Sequence, residues 1–410
     1  MPCRIVLENC QIFDGVDDHV LRGKKIVLQG ATIERIIDDD EPVEGAEHID
    51  VNDAFVSPGF IDCHMHMLLE EVPDQEASLS ITLPGGGRKD TADYAAAYMG
   101  VRNCTRLLNA GFTTALDGGG NNYIECVMRE AIKKGYFEGP NLFVAGKQIT
   151  ATKAHFPGFS IEAYSPYGMR KAVRDLAGNG VDFIKLQCSP PIRMVVRNTD
   201  ACDFTEEEIV AAVDEAHNYG LPVHAHLRGP EAVKRFLRAD GDIVIHGTGI
   251  DDEGIEMMLK RGKYLCPTLL SPTCKMSPEL LAAKCSEEID LLKNTAKKHW
   301  TSISRAYQAG VKIAFSTDTG TLGIAHGTNA REFQNLVEIG MSNAEALRAA
   351  TSEAAKAIGQ SGRLGLIKEG YRADLTVLRG NALDDISATG KVEMTIKSGK
   401  IVFDNRKGRL

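Results

Sequence analysis

Six side chains that can bind a metal or move a proton follow apolar stretches of this 410-residue chain. Two of them, His64 and His66, close the largely apolar segment 58–66. Alternate side chains of a strand point the same way, so both imidazoles are expected to face one point. The other four come at the ends of apolar runs of their own: Lys185, His224, His246 and Asp318. Imidazoles and carboxylates are ligands of zinc and similar divalent ions, so the set predicts a metal centre.

Eight apolar runs predict the strands that must position these side chains. They cover residues 58–66, 112–116, 141–145, 182–186, 221–224, 242–246, 264–268 and 311–315. Helical segments separate several of them, so the pattern predicts an α/β fold with a parallel (β/α)8 barrel of the TIM type over residues 58–360. The active site of such a barrel lies at the C-terminal ends of the strands, which is where the six side chains fall.

Two of the predicted helices carry clear start and stop signals. The segment 205–208, Thr-Glu-Glu-Glu, is a capping box, and the helix that it opens is predicted to end at Gly220. Ser342 and Glu345 repeat the capping pattern, and we expect that second helix to stop at Gly359.

The two ends of the chain differ from its middle. Residues 1–57 and 361–410 alternate apolar and polar side chains between turn residues, which is typical of short antiparallel strands with one solvated face. Together they predict one small β-sandwich domain, built from both termini and adjoining the catalytic barrel.

The composition excludes several classes of function. The net charge of −9 argues against a nucleic-acid-binding surface, which needs basic residues. No run approaches the roughly 18 apolar residues of a membrane span, and the first residues lack the pattern of a secretion signal. Ten cysteines without a Cys-x-x-Cys pair favour reduced thiols, so we expect a cytoplasmic protein.

The segment 59–66, Gly-Phe-Ile-Asp-Cys-His-Met-His, resembles the signature of the metal-dependent amidohydrolase superfamily. Three further segments, 150–155, 326–332 and 373–378, resemble its imidazolonepropionase-like and Xaa-Pro-dipeptidase-like branch. The resemblance extends over nearly the whole chain and implies a barrel that carries a composite β-sandwich.

This resemblance implies two divalent metal ions, which we expect to be zinc. The buried ion would be held by His64, His66 and Asp318, and the more exposed ion by His224 and His246. The first set combines imidazoles with a carboxylate and the second consists of imidazoles, and zinc binds both kinds of ligand.

Lys185 implies a bridge between the two ions. A protonated lysine cannot bind a metal, but in relatives with lysine here carbon dioxide adds to the amine, and the resulting carbamate binds both ions. From the residues alone, Lys185 could instead be a buried lysine paired with Asp182 or Asp117. The implied mechanism has a metal-bridging hydroxide attack an amide carbonyl, while Asp318 acts first as general base and then as general acid.

Three more residues are candidates for contacts with substrate. His226 faces the same side as His224, and spacing alone does not choose between them; the resemblance assigns the metal to His224 and leaves His226 to substrate. His155 follows the third strand and is a candidate catalytic residue that orients or polarises the scissile carbonyl. Arg228 is a candidate for binding a substrate carboxylate through two parallel hydrogen bonds.

These observations predict a binuclear metal-dependent hydrolase that cleaves the C–N bond of a dipeptide, an N-acyl amino acid or a xenobiotic amide. One alternative is a single-metal deaminase or cyclic-imidazolone hydrolase on the same barrel, whose members usually lack the bridging lysine. A second alternative is a catalytically inactive scaffold, although such descendants normally lose metal ligands and all six remain here. Relatives are commonly homo-oligomers, so we expect self-assembly as well.

Overall fold

The computed structural model describes residues 4–70, 92–151, 158–190, 200–275, 277–282 and 284–408. These residues form an α/β structure in which a parallel (β/α)8 barrel occupies the middle of the chain and smaller sheets combine its two ends. The predicted fold class is confirmed.

The strands of the described residues come first. In chain order they are β1 (Arg4–Glu8), β2 (Gln11–Ile12), β3 (Lys24–Gln29), β4 (Thr32–Asp38), β5 (Glu47–Asp50), β6 (Phe55–Pro58), β7 (Phe60–Met65), β8 (Phe112–Asp117), β9 (Asn141–Val144), β10 (Gln148–Thr150), β11 (Ser160–Glu162), β12 (Ile184–Gln187), β13 (Val223–Arg228), β14 (Ile243–Thr248), β15 (Tyr264–Cys266), β16 (Lys312–Ile313), β17 (Leu375–Leu378), β18 (Val392–Lys397) and β19 (Lys400–Asp404).

The α-helices of the same residues follow, and most lie between barrel strands. They are α1 (Ala92–Asn109), α2 (Ile124–Lys133), α3 (Ser165–Gly178), α4 (Glu206–Asn218), α5 (Pro230–Arg238), α6 (Asp252–Arg261), α7 (Leu270–Lys275), α8 (Pro278–Leu281), α9 (Ser286–Gln308), α10 (Arg331–Glu338), α11 (Asn343–Ala349) and α12 (Ser352–Ala357). None of the helices in these ranges is both long and apolar enough to span a membrane.

The strands at the chain ends form two sheets that share a core. One sheet has the order β4-β3-β1-β5 and the other β19-β18-β17-β6-β2. The antiparallel pair β6–β17, with Phe55 opposite Leu378, joins the two ends of the chain. Leu7 and Ile26 of the first sheet lie in one buried apolar cluster with Val377 of the second. The limits of this composite domain, at 57 and 361, stay a prediction.

The barrel strands fall into two hydrogen-bonded sheets, β7-β8-β9 and β11-β10-β12-β13-β14-β15-β16. The third barrel strand is divided between them, because β9 pairs with β8 and, after a left-handed Gly146 (φ 67°), β10 pairs with β12. At the other junction the Cys63 amide donates to the Phe315 carbonyl (2.9 Å), and the His66 amide donates to the Thr319 carbonyl (2.8 Å). The segment after β16 therefore returns to β7, and all eight predicted strand positions take part in the ring.

Helix α4 begins with the predicted capping box. The Thr205 hydroxyl accepts from the Glu208 amide at 3.3 Å, and the Glu208 carboxylate accepts from the Thr205 amide at 2.9 Å. Gly220 follows the helix with a left-handed φ of 69°, which confirms the predicted stop.

The second capping box, at the start of α11, is also present, but the predicted end of that helix at Gly359 is wrong. Helix α11 ends at Ala349, and α12 begins after Thr351. The carbonyls of Ala349 and Ala350 accept instead from the amides of Phe315 (2.9 Å) and Ile61 (2.8 Å), which belong to the barrel. Tertiary hydrogen bonds thus break a helix that the local sequence pattern would continue.

Candidate metal centre

Three of the six predicted side chains lie together at the C-terminal end of the barrel. The Nε2 atoms of His64 and His66 each lie 3.6 Å from Oδ1 of Asp318. The ligand atoms of the three residues are within 4.8 Å of one another, and all three residues are buried. In the described part of the chain, no other group of three or more His, Cys, Asp or Glu side chains converges in this way.

Asp62 fixes the backbone beneath this group. Its Oδ1 accepts from the amides of His64 and Thr317, each at 3.2 Å. Its Oδ2 accepts from the Thr317 hydroxyl (2.6 Å) and from the side-chain amide of Asn329 (2.8 Å). Burial raises the pKa of Asp62 to about 6, and the four donors oppose that rise. Because its oxygens are committed to these donors, Asp62 supports the two strand ends from below.

Two glycines let the surrounding backbone approach the histidines. A Cβ atom on Gly118 would lie 2.5 Å from Cε1 of His64 and 3.2 Å from Cε1 of His66. A Cβ atom on Gly320, which has a left-handed φ of 91°, would lie 2.2 Å from the carbonyl oxygen of His66. Any larger residue at either position must therefore displace the histidine segment.

His246 reaches the site because β14 is irregular at its end. Ile243 and Ile245 lie in an apolar cluster with residues of β7 and β15, whereas Val244 lies in the main core. A regular strand would send His246 to the same side as Val244. Its left-handed φ of 67° and the register shift between Leu227 and Arg228 on β13 turn the ring toward His64, with the ring centroids 5.8 Å apart.

Thr268 sets the tautomer of His246. The Thr268 hydroxyl lies 2.7 Å from the Pro267 carbonyl, which can only accept, so the hydroxyl donates there. The same oxygen lies 2.6 Å from Nδ1 of His246 and must accept from that nitrogen. Nε2 of His246 therefore carries the lone pair that a metal would use. Thr268 itself has a left-handed φ of 51°, an outlier for a β-branched residue of the kind that collects at functional sites.

Lys185 is fully buried beside the first group, with its Nζ 3.4 Å from Nε2 of His64. Neither of the alternative partners is paired with it. Asp182 binds Arg129 at 2.6 Å, and Asp117 accepts from two backbone amides. Burial lowers the pKa of Lys185 to about 7, so much of this amine is neutral near neutral pH.

His224 lies opposite Lys185 in the parallel pair β12–β13. Its ring stacks on Phe183 with centroids 4.3 Å apart, and neither ring nitrogen has a hydrogen-bond partner among the described residues. Burial lowers the pKa of His224 to about 3, so the imidazole is neutral. The ring of His226 lies 4.5 Å from that of His246, centroid to centroid, so both histidines of β13 lie near the site.

Arg228 is buried at the end of β13. Its backbone is fixed by Ser189, whose hydroxyl accepts from the Arg228 amide (2.9 Å) and donates to the Arg228 carbonyl (3.0 Å). Burial lowers the pKa of Arg228 to about 10, against the attraction of Asp318. His155, the remaining predicted site residue, lies outside the described residues.

Comparison with known proteins identifies the family. The family model for the amidohydrolase family matches residues 55–402. This chain belongs to the amidohydrolase family. The match includes every barrel strand and all six candidate ligands.

Individual amidohydrolases of known name are also similar to this chain. It is 28% identical over 363 residues to ochratoxinase from Aspergillus niger, which covers 80% of this chain and 71% of that protein. It is 24% identical over 396 residues to imidazolonepropionase from Porphyromonas gingivalis, which covers 88% of this chain and 84% of that protein. A Xaa-Pro dipeptidase crystallised with methionine in its active site superposes with a TM-score of 0.85 at 29% identity, over 97% of this chain and 99% of that one. The predicted branch is confirmed, and an amide hydrolase is supported.

The amidohydrolase family is generally metal-dependent, and the residues present here fit a divalent ion. The imidazoles of His64, His224 and His246 are kept neutral because burial lowers their pKa values. A buried imidazole with both nitrogens unpartnered, as in His224, is costly unless it binds something. Neutral nitrogen donors beside the Asp318 carboxylate are the donor set that zinc prefers.

Side chains of the segment 326–332 form hydrogen bonds to the end of β7 that the sequence did not predict. The Nε2 atom of His326 donates to the carbonyls of His66 (3.1 Å) and Leu69 (3.3 Å). Asn329, three residues later, donates to Asp62. The sequence signal was available, because this segment carries part of the family resemblance, but it gave no partner for either side chain.

Two further supporting contacts involve the segment that follows β15. The Glu332 carboxylate accepts from the amides of Leu269 (2.7 Å) and Leu270 (2.6 Å), which fixes the loop that begins at Thr268. The Ser271 hydroxyl donates to Oδ2 of Asp318 at 3.0 Å. No spacing pattern in the sequence relates Ser271 to Asp318, so this contact could not be predicted.

Proposed function

We propose that this amidohydrolase uses two divalent metal ions to hydrolyse an amide bond next to a free carboxylate, as in an N-acyl amino acid or a dipeptide. The observation that carries the proposal is the arrangement of Lys185 between two groups of donors. Its amine lies 3.4 Å from Nε2 of His64, and in the parallel pair β12–β13 its backbone lies opposite that of His224. Single-metal relatives usually lack the lysine at this position, so Lys185 favours two ions over one.

In this proposal the candidate ligands form the two groups that the family resemblance implies. His64, His66 and Asp318 would hold the buried ion, and His224 and His246 the more exposed one. Two ions held there would lower the pKa of a bound water and polarise the amide carbonyl. The tautomer that Thr268 imposes on His246 and the convergence of the buried group both support this division.

Lys185 would join the groups after its neutral amine adds to carbon dioxide, which forms an N–C bond and releases one proton. Only the uncharged amine can make this bond, and burial supplies it by lowering the pKa to about 7. The product would be an anion with two oxygens, which would compensate for the positive charge of the ions at this buried position.

Asp318 is suited to move the proton of the reaction. One oxygen, Oδ1, faces the histidine pair, while Oδ2 accepts from Ser271 and keeps the carboxylate plane fixed. Oδ1 would take a proton from the attacking water and then deliver it to the departing amide nitrogen. The products are a carboxylic acid and a free amine.

Arg228 supports the choice of substrate class. It is a buried cation on the strand that carries His224 and His226, and its charge acts on both Asp318 and His246. A carboxylate on the carbon attached to the scissile nitrogen would pair with it, with His226 as a neighbouring contact. A Xaa-Pro dipeptidase with methionine bound in its active site is similar to this chain, which favours an amino acid as the leaving amine. The role of His155 stays a prediction, as do self-assembly and a cytoplasmic location.

The test is a substrate panel on protein loaded with zinc and bicarbonate, with metal content measured on the same sample. We expect release of the free amino acid from N-acyl amino acids or dipeptides, loss of that activity with a chelator, and near-complete loss in Asp318→Asn. If the loaded protein opens cyclic imidazolones and leaves every linear amide intact, the proposed reaction is wrong.

A further inference from the structure

The guanidinium of Arg228 is buried, and few contacts orient it. Within the described residues, Nη1 donates to the Thr248 hydroxyl at 3.4 Å, and Nε has no hydrogen-bond partner. No carboxylate in the same part of the chain forms an ion pair with it. An arginine binds a carboxylate well only when its planar fork is held in the right orientation. Thr248 is thus the one side chain of the described structure shown to hold this fork.

The direction of the hydrogen bonds at Thr248 is fixed by His299 of helix α9. Nε2 of His299 lies 2.9 Å from the Pro267 carbonyl, which can only accept, so this nitrogen carries the proton. Nδ1 is then an acceptor, and the Thr248 hydroxyl, 2.8 Å away, donates to it. The single proton of Thr248 is therefore committed to His299, which leaves the Thr248 oxygen free to accept from Arg228.

The Pro267 carbonyl joins this chain of hydrogen bonds to the metal side of the site. It accepts from Nε2 of His299 and also from the Thr268 hydroxyl, which in turn accepts from Nδ1 of His246. His299, Thr248 and Thr268 are all buried, so solvent does not compete for these bonds. One network thus reaches from the candidate ligand His246 to the guanidinium of Arg228.

Resting on the proposed function, we propose that His299 is a positioning residue for substrate recognition, which acts through Thr248 to aim Arg228 at the carboxylate of the substrate. Without His299, the Thr248 hydroxyl can rotate and point its proton toward the guanidinium. The Thr248 oxygen then no longer accepts from Nη1 of Arg228, and the guanidinium loses the hydrogen bond that orients it. The loss should fall on substrates that carry a carboxylate. Neutral substrates of the same shape should be unaffected, because they do not use the fork.

The experiment compares N-acetyl-L-methionine with its primary carboxamide, which has the same shape without the charge. Wild-type protein should prefer the carboxylate by about 100-fold in kcat/KM, as expected when a buried charged donor is left unpaired by the wrong substrate. In His299→Leu and Thr248→Val, KM for the carboxylate substrate should rise about tenfold with kcat nearly unchanged, and the carboxamide should be hydrolysed as before. His299→Asn, whose side-chain oxygen can replace Nδ1 as acceptor, and Thr248→Ser should restore the preference.

Ser302→Ala is the matched control on the same helix. The Ser302 hydroxyl accepts from the Gly249 amide and donates to the backbone carbonyl of His299, each at 2.9 Å, so it docks α9 on the end of β14 without a hydrogen bond to Thr248. We expect Ser302→Ala to leave the ratio between the two substrates unchanged.

Equal losses on both substrates in Thr248→Val and His299→Leu would show that the network only supports the fold, and would overturn the inference. An unchanged preference in Arg228→Met would overturn it as well. If the wild-type protein hydrolyses neither compound but carries two metal ions, the proposed substrate class fails instead.

Discussion

The two histidine pairs of the site are held in different ways. On the β7 side, His64 and His66 converge on Asp318, and their backbone is tied to Asp62 and His326. On the β13 and β14 side, the ring of His224 stacks on Phe183, and its nitrogens have no hydrogen-bond partner in the described ranges. The side chain of His246 is directed by one hydroxyl, that of Thr268.

This difference shows which half of the site is fixed by the protein and which depends on what binds there. The β7 half has its ligand atoms within 4.8 Å of one another and several backbone hydrogen bonds beneath them. In the other half, the orientation of the histidine rings depends on stacking against neighbouring aromatic rings and on one hydrogen bond, from His246 to Thr268. We therefore expect the ion of the β7 half to bind more tightly, and the ion of the other half to be lost first.

Removing the proposed Lys185 carbamate should have the largest effect on the difference between the two halves. In Lys185→Met the carbamate cannot form, so the β13–β14 ion should be lost and kcat/KM should fall by about 1,000-fold. Metal analysis should give about one ion per chain, because His64, His66 and Asp318 remain. Lys25→Met replaces another buried lysine, on β3 in the terminal sheets, and should keep both ions. Two ions in Lys185→Met would contradict the proposed bridge.

A larger residue at position 118 should disrupt the β7 half alone. In Gly118→Ala the new methyl group would meet the His64 ring at 2.5 Å, so the imidazole must move, and we expect about 100-fold weaker binding of the tighter ion. Gly178 is a matched control, because a Cβ atom there has no neighbour within 4 Å. Competition with a chelator measures the affinity. Wild-type affinity in Gly118→Ala would show that this glycine is not needed for the approach.

Removal of the Thr268 hydroxyl should affect the other half. Thr268→Val leaves Nδ1 of His246 without its acceptor, so the ring can adopt either tautomer, and the weaker ion should bind about 10–100-fold less tightly. Thr268→Ser keeps the hydroxyl and should retain the affinity. The comparison between the halves fails if Thr268→Val weakens the ion of the β7 half by as much.

The smallest effect is expected at Ser271. Ser271→Ala removes one hydrogen bond to Asp318, at a cost of about 1 kcal/mol, so kcat should fall about fivefold with both metal affinities unchanged. Ser304→Ala, on the outer helix α9, is the control. A loss of metal in Ser271→Ala would mean that the hydroxyl holds the ligand rather than orienting the proton acceptor.

The barrel and the convergence of His64, His66 and Asp318 could be predicted because each depends on local patterns. Apolar runs mark the strands, and the polar residue that ends each run marks the functional end of the barrel. His246 shows the limit of this reasoning, since regular alternation would point it away from the site, and only its left-handed backbone turns it inward. For residues that support the ligands from distant segments, such as Thr268 and Glu332, the local sequence does not show which partner they bind.

The break between α11 and α12 teaches the same lesson at the level of the fold. The carbonyls at the end of α11 bind amides of the barrel, and nothing in the sequence around Thr351 records that choice. Similarly, the third barrel strand is split at Gly146, where two sheets meet. In each case a distant segment decides the local structure.

The most direct test of a two-ion site bridged by Lys185 is anomalous diffraction at the zinc absorption edge, from crystals grown with zinc and bicarbonate. We predict two peaks, one among His64, His66 and Asp318 and one between His224 and His246, with density for a carboxylate joined to Nζ of Lys185. A single peak beside an unmodified Lys185 amine would contradict the account.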